Sequence, residues 1–379
     1  MKVGLFTASG ESVTSEAVAV APGKDLCREG ITGFRKLHKI GFGTYGSIYL
    51  AIHRTTRSSL FALKKFKFPE DKIEYGLPRS AVREIRLLKE LQHENIVDCH
   101  GVLVSSGKGS IYMVLGFVEH DLVGILELWK RKLTVPEVKA ITLQMLTAID
   151  FCHIRGVVHR DLKCANFLVS KNGVIKLADF GLAREFSPDP YFGAHAELHL
   201  TSKVITLWYR PPELLLGATS YGPEIDMWSM GAIIAELLLQ RPAFSADKEI
   251  GVFGMIVEEL GTPVRTRHEA AMKNLPLWKE YVSAVPGITS LTTCKIEVAL
   301  SQTVSRTAWD LVGKMLSYTP SERISAAASR EHEFFAESPV ACLPEEIRVP
   351  RDDFCHGMSM KQKRERGDDP TGPSKKMKH

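Results

Sequence analysis

The sequence predicts an α+β fold of two lobes, a small β-rich amino-terminal lobe with one key helix and a larger, mostly helical carboxy-terminal lobe. Residues 34–54 read as strand, turn, strand, and apolar strands recur at 61–64 and 111–118. Helical periodicity begins after Pro78, and buried helices are indicated at 138–154 and 231–239. A chain of 379 residues that is 44% hydrophobic is long enough for one large two-lobed unit or two domains.

The composition argues against a membrane protein, a secreted protein or a specific nucleic-acid binder. No apolar run approaches the ~18–20 residues that a membrane helix needs, and the best candidate, 231–239, is interrupted by Glu236. The amino terminus lacks an apolar segment of signal-peptide length. Seven scattered cysteines without a CxxC pair favour a reducing compartment over a disulfide framework or zinc site. Residues 361–379 hold seven Lys or Arg against three Asp or Glu, so the rest of the chain is nearly neutral.

A glycine-rich hairpin follows a leader, residues 1–33, that is predicted to be flexible. Residues 40–48 read Ile-Gly-Phe-Gly-Thr-Tyr-Gly-Ser-Ile, and such glycines let the backbone approach phosphates closely. The GxGxxG pattern alone also marks dinucleotide-binding folds and ordinary hairpins. Here it runs into a strand at 48–52, whereas a dinucleotide-binding motif opens into a helix.

A lysine and a glutamate lie twenty residues apart on a predicted strand and a predicted helix. Lys64 ends the strand Phe-Ala-Leu-Lys, and Glu84 lies in a helix that begins after Pro78 and runs to about Leu91. Alone, each would more simply be a solvated surface charge. Together they predict an ion pair from strand to helix, which rotation of the helix could break.

The most informative segment is 159–166, His-Arg-Asp-Leu-Lys-Cys-Ala-Asn, which follows the helix predicted at 138–154. After a turn and a second apolar run come Asp179, Phe180 and Gly181. Asp161 and Asp179 lie at two ends of a hairpin with Asn166 between them, an arrangement that suits divalent cations holding phosphates beside a hydroxyl nucleophile. His-Arg-Asp alone would favour a buried, salt-bridged turn; the whole pattern favours the catalytic interpretation.

Together these motifs resemble eukaryotic protein kinases, and specifically cyclin-dependent kinases. Residues 78–84, Pro-Arg-Ser-Ala-Val-Arg-Glu, are similar to that family's cyclin-contacting helix, and the resemblance runs from 34 to 335. It implies the two-lobed kinase fold, with an N-lobe at 34–115, a hinge at 116–121 and a C-lobe at 122–335. A carboxy-terminal extension with a basic tail would occupy 336–379.

The resemblance implies a role for each cleft residue. Asp161 would orient the substrate hydroxyl and accept its proton, Lys163 would neutralise the moving phosphoryl group, and Asn166 and Asp179 would hold Mg²⁺. Lys64 would grip the α- and β-phosphates of ATP, paired with Glu84. The implied ATP-binding residues are Ile40, Gly41, Gly43, Gly46, Ile48, Ala62, Lys64, Leu115, Gly116, Val118, Asp121 and Leu168.

Regulation is implied in the same way. An activating kinase would phosphorylate Thr201, and Arg83, Arg160 and Arg184 would cradle the phosphate. Thr44 and Tyr45 match positions that inhibitory kinases modify, with shaping of the loop tip as an even alternative. A cyclin subunit would hold Glu84 against Lys64, so we expect low activity without it.

Other matched positions concern structure and substrate choice. Glu213 is expected to pair with Arg323, and Asp226 to hold the catalytic-loop backbone. Ile205 and Arg210 correspond to a wall that accepts proline, which implies Ser-Pro and Thr-Pro substrate sites.

Several stretches favour the transcriptional kinases that modify the RNA polymerase II carboxy-terminal domain. Pro-Pro-Glu at 211–213 and the segments 119–124 and 221–228 fit that group. A cell-cycle kinase is the alternative, a splicing-linked kinase is further behind, and a pseudokinase scaffold is disfavoured by intact catalytic positions. Residues 361–366 and 375–378 resemble a bipartite nuclear import signal, which implies the nucleus. Residues 353–356, Asp-Phe-Cys-His, resemble a kinase tail that folds back near the nucleotide, and their contact with ATP is left open.

Overall fold

The computed structural model describes residues 5–6, 12–13, 27, 29–43, 46–55, 59–66, 78–105, 110–128, 132–186, 206–350, 354 and 356. The predictions for Thr44, Tyr45, Thr201 and Ile205 lie outside these residues. Two short strands, β1 (Leu5–Phe6) and β2 (Ser12–Val13), pair with each other near the amino terminus.

A five-stranded antiparallel sheet builds the amino-terminal lobe, in the order β3-β4-β5-β7-β6. Its strands are β3 (Phe34–Gly43), β4 (Gly46–His53), β5 (Leu60–Lys65), β6 (Cys99–Val104) and β7 (Ile111–Gly116). Helix α1 (Arg79–Glu90) lies behind this sheet and buries Ala81, Glu84, Leu87 and Leu88. Gly46 is required at the β3–β4 turn because a Cβ there would lie 1.6 Å from the Lys65 carbonyl oxygen.

The description of residues 1–33 as a flexible leader needs a correction at its carboxyl end. Gly30–Gly33 form a short 3₁₀ helix. Cys27 and Ile31 pack against a buried cluster on the sheet that includes Phe34 and Phe61. This packing removes apolar surface from water and stabilises the segment, so the packed lobe begins before residue 34.

Helices dominate the carboxy-terminal lobe, as predicted for this α+β class. They are α2 (Leu122–Leu128), α3 (Val135–Ile154), α4 (Pro212–Leu215), α5 (Glu224–Leu239), α6 (Glu249–Leu260), α7 (Glu269–Met272), α8 (Trp278–Ala284), α9 (Lys295–Thr303), α10 (Arg306–Met315), α11 (Ala326–Arg330) and α12 (Glu333–Ala336). Helix α3 begins with a capping box between Thr134 and Glu137. Helices α3 and α5 are buried along most of their length and form the core. In the described part of the chain, no helix is both long and apolar enough to cross a membrane.

Short paired strands lie in the carboxy-terminal lobe and hold the segments that border the five-stranded sheet. They are β8 (His120–Asp121), β9 (Val157–Val158), β10 (Phe167–Val169), β11 (Ile175–Leu177) and β12 (Arg184–Glu185), with β10 pairing β8 and β11, and β9 pairing β12. The pairing of β10 with β11 places residues 166 and 179 side by side at the open end of the hairpin, where the Ala178 N–H donates to the Asn166 carbonyl oxygen at 2.9 Å.

The segment after α12 folds onto the carboxy-terminal lobe. The Lys139 ammonium donates to the Glu337 carbonyl oxygen at 2.8 Å, and Arg348 makes three hydrogen bonds to the Glu137 carboxylate. Ile347 and Val349 are buried in the main core. The boundary placed at residue 335 is thus not the end of the packed lobe, which continues to about residue 350.

Candidate active site

A cavity of about 440 Å³ lies between the sheet and the helical lobe. Its lining includes every residue of the implied ATP-binding set except Gly43 and Gly46. Glu84, Lys163, Asn166 and Asp179 line it as well. Residues far apart along the chain therefore meet at one cleft. Val97, Phe117, Ala165, Ala178 and His356 also line the cavity and were not predicted.

Lys64 is buried in this cleft between two carboxylates. Its ammonium nitrogen lies 2.5 Å from Glu84 Oε1 and 2.7 Å from Asp179 Oδ1. Burial lowers the pKa of Lys64, but Glu84 and Asp179 raise it by more, so the net pKa lies above its ordinary value. Lys64 therefore stays cationic, which its expected role in phosphate binding requires.

Helix α1 is already in the position that forms this pair. Arg86 of α1 also forms an ion pair with Glu185 of β12, which joins the helix to the segment after Asp-Phe-Gly. We expected the Lys64–Glu84 pair to need a cyclin, and here the geometry of the chain itself brings the two side chains together.

The Asp161 carboxylate is oriented by three neighbours. Lys163 donates to Oδ2 at 2.7 Å, and the Thr206 hydroxyl donates to Oδ1 at 3.1 Å. The Asn166 amide nitrogen donates to the Asp161 carbonyl oxygen at 2.7 Å and to Oδ2 at 3.2 Å. Asp161 is only 3% exposed, so its direction is set by these bonds and not by solvent.

Asp226 holds the catalytic-loop backbone in the manner predicted. Its carboxylate accepts hydrogen bonds from the backbone N–H groups of His159 and Arg160, at 2.8 and 2.9 Å. The same carboxylate also contacts a side chain, His153, whose Nε2 lies 3.0 Å from Oδ2. Burial raises the pKa of Asp226, but these partners lower it further, so the pKa lies below its ordinary value and the group stays charged. Arg160 can then adopt its left-handed backbone conformation, with φ at 68°.

Asn166 and Asp179 present oxygen atoms suited to a magnesium ion. Because the Asn166 amide nitrogen is engaged by Asp161, its carbonyl oxygen is the atom left for a cation. Asp179 adds a carboxylate at the same cavity. The described residues contain no group of three or more His, Cys, Asp or Glu that would cage a metal. Mg²⁺ is commonly held by one or two carboxylates plus substrate phosphates, so this sparse donor set fits it.

Two of the three arginines implied to bind a phosphate, Arg83 and Arg184, act electrostatically on the third, Arg160, or on its neighbour Tyr221. Arg160 is 1% exposed, and burial lowers its pKa, with a further contribution from the charge of Arg83. Burial raises the pKa of the neighbouring Tyr221, against the opposing charges of Arg160 and Arg184. Thr201, the expected phosphate carrier, is outside the described part of the chain.

The expected ion pair of the helical lobe is present, and Arg210, which was expected to help accept proline, is held by an ion pair of its own. Arg323 donates to both Glu213 carboxylate oxygens at 2.7 Å. Arg210 is buried and paired with Glu249 at the start of α6. Trp208 Nε1 donates to the Ala246 carbonyl oxygen at 3.0 Å.

Two residues, Thr206 and His356, contact charged side chains of this site that the sequence did not connect with them. Thr206 accepts from Lys163 at 3.1 Å while it donates to Asp161; its place at the head of Thr-Leu-Trp-Tyr-Arg was the available signal. His356 lines the cavity, and its Nδ1 lies 3.6 Å from Asp121 Oδ2. Phe354 packs edge-on against Phe117 of the hinge, with ring centroids 5.1 Å apart. The carboxy-terminal tail therefore reaches the cavity, which the sequence left open.

Comparison with known proteins agrees with this geometry. A family model described as the protein kinase domain matches residues 34–335. Cyclin-dependent kinase C-2 of Oryza sativa subsp. japonica is 39% identical over 346 residues, covering 87% of this chain and 64% of the relative, so the chain spans less than two thirds of that relative. Probable cyclin-dependent kinase 10 of Dictyostelium discoideum is 37% identical over 324 residues, covering 84% of this chain and 82% of the relative.

A solved structure gives the same result. The crystal structure of the yeast RNA Pol II CTD kinase CTDK-1 complex aligns with a TM-score of 0.71 and 27% identity, covering 89% of this chain and 100% of that chain. The two-lobed fold and the family inferred from the motifs are thereby confirmed. The chain belongs to the protein kinase family and, within it, to the cyclin-dependent kinases.

Proposed function

We propose that this chain is a cyclin-dependent, proline-directed serine/threonine kinase that transfers the γ-phosphate of ATP to Ser-Pro and Thr-Pro sites. The single observation that carries the proposal is the convergence of Lys64, Asp161 and Asp179. Two of them line the cavity, and the third is oriented beside it by Lys163, which also lines it. A buried lysine between carboxylates has a phosphate as its natural third partner.

The chain's own residues can perform each step of the transfer. Asp161 accepts the proton of the substrate hydroxyl while that oxygen bonds to the γ-phosphorus and the bond to the leaving ADP oxygen breaks. Lys163, held on Asp161 Oδ2, neutralises charge on the moving group. Lys64 fixes the α- and β-phosphates. Mg²⁺ held by Asn166 and Asp179 would supply neutralisation of the phosphate charge.

The proposed substrates are the heptad repeats of RNA polymerase II, which would place the chain in the nucleus. A substrate wall that leaves the next residue without a hydrogen bond favours proline, because proline has no N–H to lose. The structural relative is described as an RNA Pol II CTD kinase, and the basic segments at 361–366 and 375–378 resemble a nuclear import signal.

Two partners would regulate the enzyme. A cyclin would hold α1, whose Val82 is 51% exposed, and so keep Glu84 on Lys64. An activating kinase would phosphorylate Thr201, and the phosphate would be bound by Arg83, Arg160 and Arg184.

The function is tested with purified chain, labelled ATP and a heptad-repeat peptide, with and without candidate cyclins. We expect phosphate incorporation to require magnesium and to rise at least tenfold with the right cyclin. A peptide with alanine in place of each proline is the matched control and should remain unlabelled. Equal, high activity without any cyclin would refute the cyclin dependence, and labelling of the control peptide would refute proline direction.

The assigned base is tested by Asp161→Asn. Removing a positioned general base costs about 10²–10⁴ in rate, so turnover should fall by that factor while the Kd for ATP stays within about twofold. Asp310→Asn, which alters a half-exposed carboxylate on α10, is the control and should leave both quantities unchanged. Retained turnover in Asp161→Asn would contradict the assignment.

A further inference from the structure

Helix α1 carries two ion pairs on opposite sides. Glu84 points inward to Lys64 of β5, with 2.5 Å between Oε1 and the ammonium nitrogen, and both side chains are buried. Arg86 forms an ion pair with Glu185 of β12 at the molecular surface, where the two side chains are 49% and 51% exposed. Residues two apart in an α-helix differ by about 200° around its axis, so one pair holds the helix from within and the other from outside.

Glu185 belongs to the carboxy-terminal lobe and is anchored there by its backbone. Strand β12 pairs with β9, which places Glu185 opposite Val157, shortly before the catalytic loop. The next backbone N–H, of Phe186, donates to the Gly156 carbonyl oxygen at 2.7 Å. Through Arg86, α1 is therefore tied to a segment outside its own lobe.

A rotation of α1 that withdraws Glu84 from Lys64 also carries Arg86 away from Glu185. The outer pair thus stabilises the orientation in which Glu84 is engaged and contributes nothing to the rotated one. An exposed ion pair shifts such an equilibrium by only about two- to fivefold, since solvent and salt screen both charges. The pair can therefore bias the helix without fixing it, which leaves the larger share to a cyclin.

We propose that Arg86 and Glu185 are positioning residues for the transfer reaction, which favour the engaged orientation of Glu84 before any cyclin binds. The inference rests on the proposed function, in which a cyclin binds that same orientation. The activity of the free chain then scales with the engaged fraction, and so does its apparent affinity for cyclin. Loss of the pair should therefore change both quantities by the same factor.

The test measures labelling of the heptad-repeat peptide by the wild type, Arg86→Ala, Glu185→Ala and the double alanine variant. The cyclin that copurifies with the chain is titrated from zero to saturation. Each single variant should lose about two- to fivefold of the cyclin-free rate and need about two- to fivefold more cyclin for half-maximal activity, with kcat at saturation unchanged. The double variant should be no worse than either single one, because each already removes the pair.

Lys295→Ala and Glu258→Ala are the matched controls. Lys295 of α9 and Glu258 of α6 form an ion pair of 2.5 Å whose side chains are 50% and 48% exposed. Both variants should leave the cyclin-free rate and the cyclin requirement unchanged. Raising the ionic strength should narrow the difference between the wild type and Arg86→Ala, because an exposed pair is screened by salt.

Three outcomes overturn the proposal. Wild-type values in both single variants would show that the pair does not bias α1. A higher cyclin requirement in Arg86→Ala alone would show that Arg86 contacts the cyclin directly and does not act through Glu185. An equal loss of kcat with and without saturating cyclin would indicate a purely structural role. If the wild type itself does not respond to cyclin, the cyclin dependence of the proposed function fails together with this inference; a wild-type response that the variants share in full refutes the inference alone.

Discussion

Thr206 shows how one hydroxyl can link two charged side chains at the reaction centre. It donates to Asp161 and accepts from Lys163, which itself donates to Asp161, so the three side chains form one closed set of hydrogen bonds. Its backbone N–H also donates to Asp161 Oδ1, at 3.3 Å. The residue thus joins the segment proposed to bind substrate to the catalytic loop, and its role follows from the two bonds together.

We predict that Thr206→Val lowers kcat by about 10- to 100-fold, because hydrogen bonds to charged groups contribute roughly 1.5–3 kcal/mol. Thr206→Ser keeps the hydroxyl and should retain most of the activity. Steady-state kinetics with the heptad peptide measures both, and the KM for ATP should be unaffected. Equal kcat values for the valine and serine variants would contradict the role given to the hydroxyl.

At the scale of elements, the hairpin of β10 and β11 packs tightly against the segment around Pro344. Gly173 in its turn has φ at 74°, and a Cβ at this position would lie 1.7 Å from the Pro344 carbonyl oxygen. The Gln144 side chain accepts from the Ile175 N–H at 2.9 Å and so ties the same hairpin to α3. Because residues 166 and 179 lie side by side at the open end of this hairpin, its packing sets the spacing of the proposed magnesium ligands.

Gly173→Ala should destabilise the protein by about 2–4 kcal/mol, because a left-handed backbone and a steric clash add up. Gly254→Ala is the matched control, since it lies inside α6 and its Cβ would meet only Val285 at 3.9 Å. That substitution should be neutral or stabilising by up to about 1 kcal/mol. Urea unfolding of both variants decides, and equal midpoints would argue against the tight packing at Gly173.

The sequence predicted the fold and most cavity residues because both depend on short contiguous motifs and on the periodicity of single segments. The strand that holds Lys64 and the helix that holds Glu84 follow from periodicity, and their pairing is what the resemblance to kinases implies. Thr206 reaches Asp161 from 45 residues away. Its place at the head of Thr-Leu-Trp-Tyr-Arg marks the segment, but nothing in that motif identifies the partner. Residues 337–350 have few helical turns and are held by contacts at scattered positions, such as the three hydrogen bonds from Arg348 to Glu137, so their packing left no periodic signal.

At the scale of the whole molecule, the carboxy-terminal segment connects the base of the helical lobe with the hinge. It leaves α12, runs along α3 through Arg348 and buries Ile347 and Val349. It then brings Phe354 to Phe117 and His356 to the cavity. One stretch thus has a structural part up to residue 350 and a part beside the nucleotide site beyond it.

Two truncations separate these parts. A chain ending at residue 350 keeps the buried Ile347 and Val349 and should therefore keep its unfolding temperature. It lacks Phe354 and His356, which lie beside the cavity, so its KM for ATP should be severalfold higher. A chain ending at residue 336 should lose several kcal/mol of stability, since burying each large aliphatic side chain contributes about 1.5–3 kcal/mol. Calorimetry and ATP titration of the kinetics measure both effects; an unchanged KM in the longer truncation would show that the tail does not affect nucleotide binding.

The position of His356 has a consequence for inhibitor chemistry. A compound that competes with adenine and extends outward past the hinge would meet the imidazole and the Phe354 ring, supplied by the chain's own tail. Kinases whose chain ends at the helical lobe have no such rim. Selectivity for this enzyme can therefore be sought at the outer edge of the pocket, with groups that stack on an aromatic ring or bond to imidazole.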